Sequence, residues 1–544
     1  MQLLKKWLNE LLKNRSSDKV RETPKKLCEI RMAAVVDPIT FHSFEPDINI
    51  EVIHPLSWKS QLTKMEPHLL FVESAWFGIN GEWKGKIRDR PHAILKRIVA
   101  FCRSRSIPTV FWNKEDPVHF DRFIEAATLF EYVFTTDVNS IPRYQSTGIY
   151  DCQLLEFGFQ PLLSNPIETH KRKMAACFAG SYYRELPERN IAFKNLIDAI
   201  KPNLDIEIYD RNFGTTNPEK QFPEEYRELI AGGLSFRDIE TAYKGYECGI
   251  NVNTVTDSPS MLSRRVYELI ASNTLVITNK AESIETKFPT GIITADNHDD
   301  MRDSLKVLRD RESLNRQKIK LLRQVLKNDR FSIRLHQVLR RIGYCLDKSE
   351  PIVVVIAKPD TQEELNLVLH NYNRQSYRNK KLIILSDKKH NLIGKDVQVI
   401  QNLDLPRIRE QLTSVKWLAL WRPRDLYLAH YIEDLAIATH YCSAGVIGKN
   451  SYYQMIDGDL VLREGDTYKW VDKLSHWRSI LSTSNFNLEQ LPKLLMSEVD
   501  LKSVVSFQKF LSIDELNYVA HDPKAHLSKS LKDIEHLLAP RIEH

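Results

Sequence analysis

The sequence predicts an α/β protein, because short apolar strand segments alternate with helical stretches over most of the chain. One set of candidate strands follows residue 30 and a second set begins at residue 173, which is the pattern of two Rossmann-like domains in tandem. A third α/β unit begins at Pro351 with the buried strand IVVVIA. The predicted strands lie at 31–37, 68–74, 108–113, 132–137 and 154–159, and then at 173–183, 204–211, 246–253, 274–279 and 290–296.

Four segments follow from this pattern. A chain of 544 residues is too long for one hydrophobic core, so several domains are expected. Periodic apolar residues within the charged stretch 300–345 predict closing helices. The predicted segments are an amphipathic helix and linker at 1–29, Rossmann-like domains at 30–168 and 169–348, and a third domain at 349–544.

Composition excludes several classes of protein. No run of about 18 apolar residues is present, so an integral membrane protein is not expected. A formal net charge of +6 is too small for a dedicated nucleic-acid binder, and no nucleic-acid partner is expected. The seven scattered cysteines indicate neither a disulfide framework nor a zinc site. Without a recognisable signal peptide, the expected location is the cytoplasm.

Residues 1–14 predict a short amphipathic helix, with leucines and Trp7 on one face and lysines away from it. Such a helix on a polar tether can lie on an anionic membrane, which predicts peripheral contact with the inner face of the membrane. Docking on the protein's own body, or on a second copy in a homodimer, is an equal alternative.

Residues 258–279 carry the strongest functional signal, since they predict a polar loop, a short helix and a buried strand. Ser260 offers a hydroxyl, Arg264 and Arg265 offer cations, and the helix start would present free N–H groups to the same place. This combination suits a diphosphate. Glu268, one turn along the helix, can accept two ribose hydroxyls. The alternative is a surface helix with a solvated arginine pair.

The segment SPSMLSRRVYELIASNTLVITN resembles the donor-binding motif of GT-B glycosyltransferases, and specifically the bacterial spore-maturation (CgeB-like) group. The phrases FAGSYY at 178–183 and IYDR at 208–211 are similar to phrases of the same group. The resemblance implies a glycosyltransferase that uses a nucleotide sugar, with UDP as the commonest nucleotide, and no resident cofactor. It implies donor contacts from Gly180, Ser181, Asp210, Arg211, Asn253, Ser260, Arg264, Arg265 and Glu268.

The motif departs from the family at two places. Many retaining GT-B enzymes use a pair of glutamates, of which this chain keeps the second as Glu268 and has Ser260 in place of the first. Asn273 begins the triplet that replaces the usual Gly-Thr-Pro. The sugar contacts and the stereochemical outcome therefore stay open. A scaffold that binds glycan or nucleotide without turnover is the alternative from a different class.

The first domain contains two clusters, at 72–87 and 111–123, which also resemble phrases of the spore-maturation group. Glu73, Trp76 and Trp83 are predicted to form an acceptor platform on which sugar rings stack. Glu115, Asp116 and His119 follow a predicted strand and are the candidates for a general base that takes the acceptor hydroxyl proton. The alternative is that Asp116 caps a helix and His119 is structural.

The resemblance also implies the partners of the reaction. The acceptor would be a glycan, a teichoic-type polymer or a spore or cell surface. No metal is expected at the donor site, because arginines and helix ends can neutralise a leaving diphosphate.

The third domain, in residues 351–387 and 417–454, loosely resembles GT-A glycosyltransferases of the polysaccharide-synthase type. Where those enzymes carry metal-binding aspartates, this chain has WRPRD at 421–425, and only Asp425 remains. A metal site is therefore not expected. A non-catalytic domain is favoured, one that binds acceptor polymer, supports dimerisation or is a structural relic. The alternative is a bifunctional enzyme in which Arg422 and Arg424 replace the charge of the metal.

Overall fold

The computed structural model describes residues 24–215, 217–294, 298–347, 350–388, 396–457, 459–506 and 509–521. The predicted amphipathic helix at 1–14 lies outside these residues. The chain forms two compact units, one with residues up to Leu155 and Phe331–Ser349, the other with Glu156–Arg330 and the residues from Glu350 onward. No helix in the described ranges has the length and apolar character needed to cross a membrane.

The first unit is built on a six-stranded parallel sheet with the order β2-β1-β3-β4-β5-β6. Its inner strands are buried on both faces, as expected for a parallel sheet covered by helices. The elements are β1 (Arg31–Val35), α1 (Pro38–Phe44), β2 (Asn49–Val52), α2 (Trp58–Met65), β3 (Leu69–Glu73), α3 (Ala93–Ser104), β4 (Thr109–Asn113), α4 (Phe120–Ala127), β5 (Tyr132–Thr135), α5 (Ile141–Ser146) and β6 (Cys152–Leu154).

Four predicted strands of this sheet are confirmed, and their apolar runs are the buried segments β1, β3, β4 and β5. The predicted strand at 154–159 was wrong, because pairing with β5 ends at Leu154. The short edge strand β2 was missed. Its residues are alternately exposed and half-buried, so they lack the apolar run that identifies the inner strands.

The second domain is a six-stranded parallel sheet with the order β12-β11-β10-β7-β8-β9. It confirms the prediction of two Rossmann-like domains in tandem. The elements are β7 (Lys173–Gly180), α6 (Pro187–Ile200), β8 (Asp205–Asp210), β9 (Ile230–Gly232), α7 (Ile239–Lys244), β10 (Tyr246–Asn251), α8 (Arg264–Ala271), β11 (Leu275–Thr278), α9 (Glu282–Lys287), β12 (Ile293–Thr294), α10 (His298–Ser304), α11 (Arg311–Asn328) and α12 (Phe331–Arg341).

Helix α12 belongs to the first unit, although the predicted domain boundary placed it with the second domain. Its apolar face is buried, and the ring of Phe331 lies 5.3 Å from the ring of Phe44. Sequence periodicity detects the helix but does not say which sheet its apolar face covers.

The third domain is a mixed eight-stranded sheet with the order β15-β14-β13-β16-β22-β18-β23-β21, and a four-stranded sheet with the order β17-β24-β19-β20. The elements are β13 (Val353–Ala357), α13 (Gln362–Asn373), β14 (Lys380–Leu385), β15 (Val397–Ile400), α14 (Leu405–Leu412), β16 (Trp417–Trp421), β17 (Leu426–Tyr427), α15 (Tyr431–Ala438), β18 (Val446–Gly448), β19 (Tyr452–Ile456), β20 (Asp459–Arg463), β21 (Lys469–Val471), β22 (Ser479–Ser482), α16 (Leu491–Met496), β23 (Phe510–Ser512) and β24 (Tyr518–His521).

The second and third domains form one compact unit through α11 and α15. Arg323 on α11 binds the Asp434 carboxylate at 2.6 and 3.0 Å, and Lys327 lies 2.7 Å from Glu433. These charges are largely buried on the α15 side, so they fix the orientation of the two helices.

Candidate functional site

The second sheet reverses its strand order between β7 and β10. Ligands of open α/β sheets bind beyond the carboxyl ends of the strands at such a point. Strand β7 ends at Gly180, which pairs with Asp210 at the end of β8. Helix α8 begins at Arg264, after the loop that follows β10. The predicted donor residues therefore come together at one edge of the sheet.

The predicted loop, helix and strand at 258–279 are confirmed, with α8 followed by the buried strand β11. Ser263 stands at the N-cap without a side-chain hydrogen bond to the first turn. Gly249 on β10 lets α8 approach closely, because a Cβ atom there would lie 2.4 Å from Leu269. The helix is thus held against the sheet with its N-terminal N–H groups near the strand ends.

Three arginines surround the end of β7. The guanidinium of Arg265 lies over the ring of Phe178 at 5.0 Å and beside Gly180. Arg189 is buried, and its Nη1 donates to the carbonyl of Ser181 at 3.4 Å. The backbone N–H of Arg211 donates to the Gly180 carbonyl at 2.9 Å.

The electrostatics of this arginine cluster favour an anion. Burial, followed by the charges of Arg265 and Arg211, lowers the pKa of Arg189 to about 10. Burial also lowers the pKa of Arg265, to which Arg211 contributes while Glu268 opposes it. Neighbouring cations that lower one another's pKa in this way are stabilised in their charged forms when a dianion such as a diphosphate binds.

Arg189 was not predicted from the sequence. It lies in the first turn of α6, the helix that follows the FAGSYY turn, and a charged residue at such a position is usually expected to be exposed to solvent. The available signal was position, since the first turn of a helix after a glycine-containing strand end faces the carboxyl edge of the sheet.

Glu268 connects Arg264 with Tyr243 on α7. Its Oε1 lies 2.7 Å from Arg264 Nε, one helical turn away, and its Oε2 accepts from Tyr243 Oη at 2.9 Å. Each carboxylate oxygen has a second lone pair. The residue therefore keeps the capacity to accept ligand hydroxyls while it holds the Arg264 side chain.

Asn253 forms part of the loop framework, contrary to the predicted donor contact. It is buried, and its Nδ2 donates to Thr278 Oγ1 at 3.0 Å and to the Asn279 carbonyl at 3.1 Å. Its Oδ1 accepts from Asn251 at 2.9 Å. With both amide hydrogens used inside the protein, Asn253 positions the loop.

Asp210 and Ser260 are also buried. Burial raises the pKa of Asp210, whose carboxylate accepts from the Asn212 N–H at 2.8 Å. The N–H groups of Ser260 and Met261 bond to Ser258 Oγ at 3.4 and 3.0 Å. These bonds order the turns on either side of the arginine cluster.

Gly180 keeps space for Arg265, which gives a prediction. A Cβ atom at residue 180 would lie 2.8 Å from Arg265 Nη2. We expect Gly180→Ala to displace the guanidinium and weaken nucleotide binding about tenfold, through loss of a charge-assisted hydrogen bond. The melting temperature should fall as well, because the same Cβ atom would lie 2.8 Å from Cζ of the fully buried Phe178 ring, which has little room to move. Titration calorimetry and thermal unfolding of the same variant check both points, and unchanged affinity would contradict the role of Gly180.

The first sheet has its own reversal of strand order, between β1 and β3. Asp37 follows β1, Glu73 ends β3 and Lys114 follows β4. Lys114 Nζ lies 3.2 Å from Asp37 Oδ2 and 2.9 Å from Glu73 Oε1. Burial raises the pKa of Glu73, whereas for Asp37 the opposing effects of Lys114 and three backbone N–H groups lower the pKa.

Asp37 fixes the loop that carries Trp76. Its carboxylate accepts from the N–H groups of Trp76 at 3.1 Å, Phe77 at 3.2 Å and Gly78 at 2.7 Å. Glu73 is fully buried and accepts from Thr40 Oγ1 at 2.6 Å, so it belongs to this framework and not to an exposed platform. Neither Lys114 nor Asp37 was predicted as a site residue, although Lys114 directly follows β4 and Asp37 lies two residues after the end of β1.

Trp76, a residue of the predicted acceptor platform, contacts His119 and lies beside Glu115, two of the candidates for the general base. The Trp76 ring meets the His119 ring edge-on at 5.1 Å, and Arg122 lies over the indole at 5.2 Å. Burial raises the pKa of Glu115, against the opposing influence of Lys114 and of the Trp76 indole. All three are half-buried, so the carboxylate and the rings reach the surface together.

Asp116 and Trp83 are core residues, and their predicted contacts with an acceptor were wrong. Asp116 is fully buried and accepts from Asn113 at 2.6 Å, Thr135 at 2.6 Å and Tyr144 at 2.8 Å. The Trp83 indole is also buried and donates to the Ile53 carbonyl at 2.8 Å. Asp116 is not a helix cap either, because α4 begins at Phe120.

Burial raises the pKa of Asp116 to about 7, from 3.8. A raised pKa in the folded state stabilises the protein fully below about pH 4, and this stabilisation is lost as the pH rises through 7. We expect the unfolding free energy of the wild type to fall relative to that of Asp116→Asn between pH 4 and 7.5, by up to about 4 kcal/mol. Denaturant unfolding across this range tests it, and parallel pH profiles would contradict it.

The described part of the chain contains no group of three or more His, Cys, Asp or Glu side chains arranged to hold a metal ion.

One protein family matches a segment that covers most of the second domain and extends into α12. Residues 189–340 match the family described as "Glycosyl transferase-like", which is less than half of the chain. No curated protein matches the chain. Similar solved structures include a glycosyltransferase from Rickettsia africae, at 12% identity and a TM-score of 0.39, covering 57% of this chain and 97% of that one.

Two further structures are similar. The Anabaena protein HepE in complex with UDP-glucose has 10% identity and a TM-score of 0.38, covering 57% of this chain and 98% of that one. The GtfA/B complex has 12% identity and a TM-score of 0.32, and the match covers 52% of this chain but only 59% of that one. The family match identifies residues 189–340, which include the arginine cluster and α8, as a glycosyl transferase-like segment.

Proposed function

We propose that this protein is a glycosyltransferase that moves a sugar from a nucleotide-sugar donor to a glycan, a teichoic-type polymer or a spore or cell surface. The observation that carries the proposal is the arginine cluster of Arg189, Arg211 and Arg265 at the carboxyl end of β7. It lies at the strand reversal of a Rossmann-like sheet, within the segment that matches glycosyl transferases.

In this proposal Arg265 and Arg189 bind the donor diphosphate. As the bond between the sugar and the diphosphate breaks, negative charge grows on the leaving oxygen. Guanidinium groups and the N–H groups at the start of α8 stabilise that charge, and they do so without a divalent cation. Glu268 accepts hydroxyl hydrogens of the ribose, and UDP is the proposed nucleotide.

The edge of the first sheet supplies the acceptor chemistry. Trp76 offers an aromatic face to a sugar ring, and Glu115 is the proposed base that takes the proton of the acceptor hydroxyl. A carboxylate whose pKa is raised by burial is a better base near neutral pH than a solvated one. His119, at the edge of the Trp76 ring, orients the same surface.

The place of action is proposed to be the cytoplasm, with residues 1–14 in contact with the inner face of the membrane or with a second copy of the chain. Both contacts involve residues outside the described ranges.

Ligand-dependent thermal stabilisation tests the proposal first. The full chain would be heated with a panel of nucleoside diphosphates and their sugars, in EDTA and then with magnesium or manganese. A ligand at 100 times its dissociation constant should stabilise by about 2.7 kcal/mol. We expect selective stabilisation in EDTA. Stabilisation by no nucleotide in any condition would contradict the transferase and favour a glycan-binding scaffold.

A further inference from the structure

A polar cavity of about 470 Å³ lies in the third domain, beside β19 and β24. Arg422, before β17, and Arg478, before β22, both line it. Tyr452 and Gln454 on β19 and Glu498 after α16 contribute further walls. All of these residues belong to the same compact unit, and none takes part in the donor or acceptor chemistry described above.

Arg478 is held in place before any ligand binds. Its Nε donates to the Lys449 carbonyl at 2.8 Å, and its guanidinium lies 4.0 Å from the centre of the Tyr452 ring. Arg422 has a fixed backbone, because its N–H donates to Tyr427 Oη at 2.8 Å, while its side chain is exposed. Two such guanidinium groups at one cavity match the oxygens of a phosphate.

Asp425 is a framework residue of this cavity and not a ligand for a cation. It is fully buried, with Oδ2 accepting from Tyr518 Oη at 2.6 Å and Oδ1 accepting from the His521 N–H at 3.0 Å. Both donors belong to residues of the cavity wall. The carboxylate therefore holds β24 in position.

Arg424 is not part of the cavity, although the sequence analysis paired it with Arg422. Its Nε lies 2.6 Å from the Glu364 carboxylate, and it is absent from the cavity lining. The residue that joins Arg422 is instead Arg478, from a turn more than 50 positions later in the chain.

We propose that this cavity binds the phosphate ester of a sugar or polyol without a divalent cation. Arg422 and Arg478 bind the phosphate. The Gln454 amide N–H groups donate to hydroxyl oxygens and the Glu498 carboxylate accepts from hydroxyl hydrogens, and a phosphate alone does not offer such hydroxyl groups. Such a phosphate ester occurs both in nucleotide-linked sugars and in phosphate-containing polymers.

Titration calorimetry on the full chain in EDTA tests this site, with glucose 1-phosphate, glycerol 3-phosphate and UDP as probes. The titrations use an Arg265→Ala background, which removes the proposed donor site, so that the two proposals fail separately. We expect a sugar or polyol phosphate to bind, and Arg422→Gln to weaken it at least about tenfold, as loss of charge-assisted hydrogen bonds implies. Arg424→Gln, an exposed arginine two residues away, is the matched control and should bind like its parent.

The probes distinguish the two sources. UDP binding that is lost in Arg422→Gln assigns the cavity to a nucleotide-linked phosphate, whereas binding of glycerol 3-phosphate without binding of UDP assigns it to a phosphate-containing polymer. Absence of binding by every probe in EDTA, binding only with magnesium, or equal weakening by Arg424→Gln would overturn the proposal. Arg422→Lys keeps the charge without the planar fork, and we expect it to lie between the wild type and Arg422→Gln.

Discussion

Arg265→Ala should weaken nucleotide binding about 100-fold, a loss of roughly 3 kcal/mol that corresponds to the strongest charge-assisted hydrogen bonds. Arg265 is the second residue of α8 and lies beside the end of β7, where Gly180 makes room for it. Removing it should not destabilise the ligand-free protein, because its charge opposes those of Arg189 and Arg211. The variant should therefore keep its melting temperature and lose only the stabilisation by nucleotide.

The matched control is Arg227→Ala, which removes an exposed arginine of the same domain that pairs with Glu224. It should bind nucleotide like the wild type, because an exposed ion pair contributes little. Equal losses in the two variants would mean that net charge, and not the cluster, attracts the nucleotide. Undiminished binding by Arg265→Ala would contradict the assignment of the donor site.

Lys114→Met should destabilise the first unit by about 3 to 5 kcal/mol, the range for removing one partner of a buried ion pair. Lys114 lies between Asp37 and Glu73, and the loss of its charge leaves two carboxylates together with little solvent. Without the cation their pKa values rise, so the variant gains stability as the pH falls and they become protonated. Denaturant unfolding at pH 5 and pH 8 should show the larger deficit at pH 8.

Lys59→Met, at an exposed position of α2, provides the comparison for this variant. Its unfolding free energy should stay within about 0.5 kcal/mol of the wild type, as for most surface substitutions. If Lys114→Met loses little unfolding free energy, or loses as much at pH 5 as at pH 8, then Lys114 does not neutralise the two carboxylates.

Much of the fold was predictable because parallel strands buried on both faces are continuous apolar runs. The strands β1, β3, β4, β7 and β11 have this character. The errors lie where the run is weak or absent, at the edge strands β2 and β9 and at 154–159. The unit to which α12 belongs is decided by which sheet its apolar face covers, and a single sequence does not contain that information.

The candidate site was predictable only in part. Motif position located Gly180, Arg265 and Glu268, since all three lie at the carboxyl edge of a predicted strand or at the helix after it. Asp116 and Trp83 proved to be core residues, because residue type alone does not distinguish a catalytic carboxylate or a stacking ring from a buried one.

The residues that were missed have a common cause. Arg189 donates a hydrogen bond to Ser181, eight residues away in the sequence, and Lys114 donates one to Asp37, 77 residues away. Such partners become neighbours only when the sheet forms. Arg478 in the third domain is a further example, since a separate turn brings it to the cavity that Arg422 also lines.

Sugar transfer from a nucleotide donor releases a nucleoside diphosphate, and a measurement of that release tests the proposed function. The full chain would be incubated in EDTA with a panel of nucleotide sugars and a glycan or phosphate-polymer acceptor, and the released diphosphate measured. We predict release from one donor, reduced about 100-fold or more in Arg265→Ala because a donor to the leaving group is lost. Binding of a nucleotide sugar without any release, by the wild type and Arg265→Ala alike, would contradict the account.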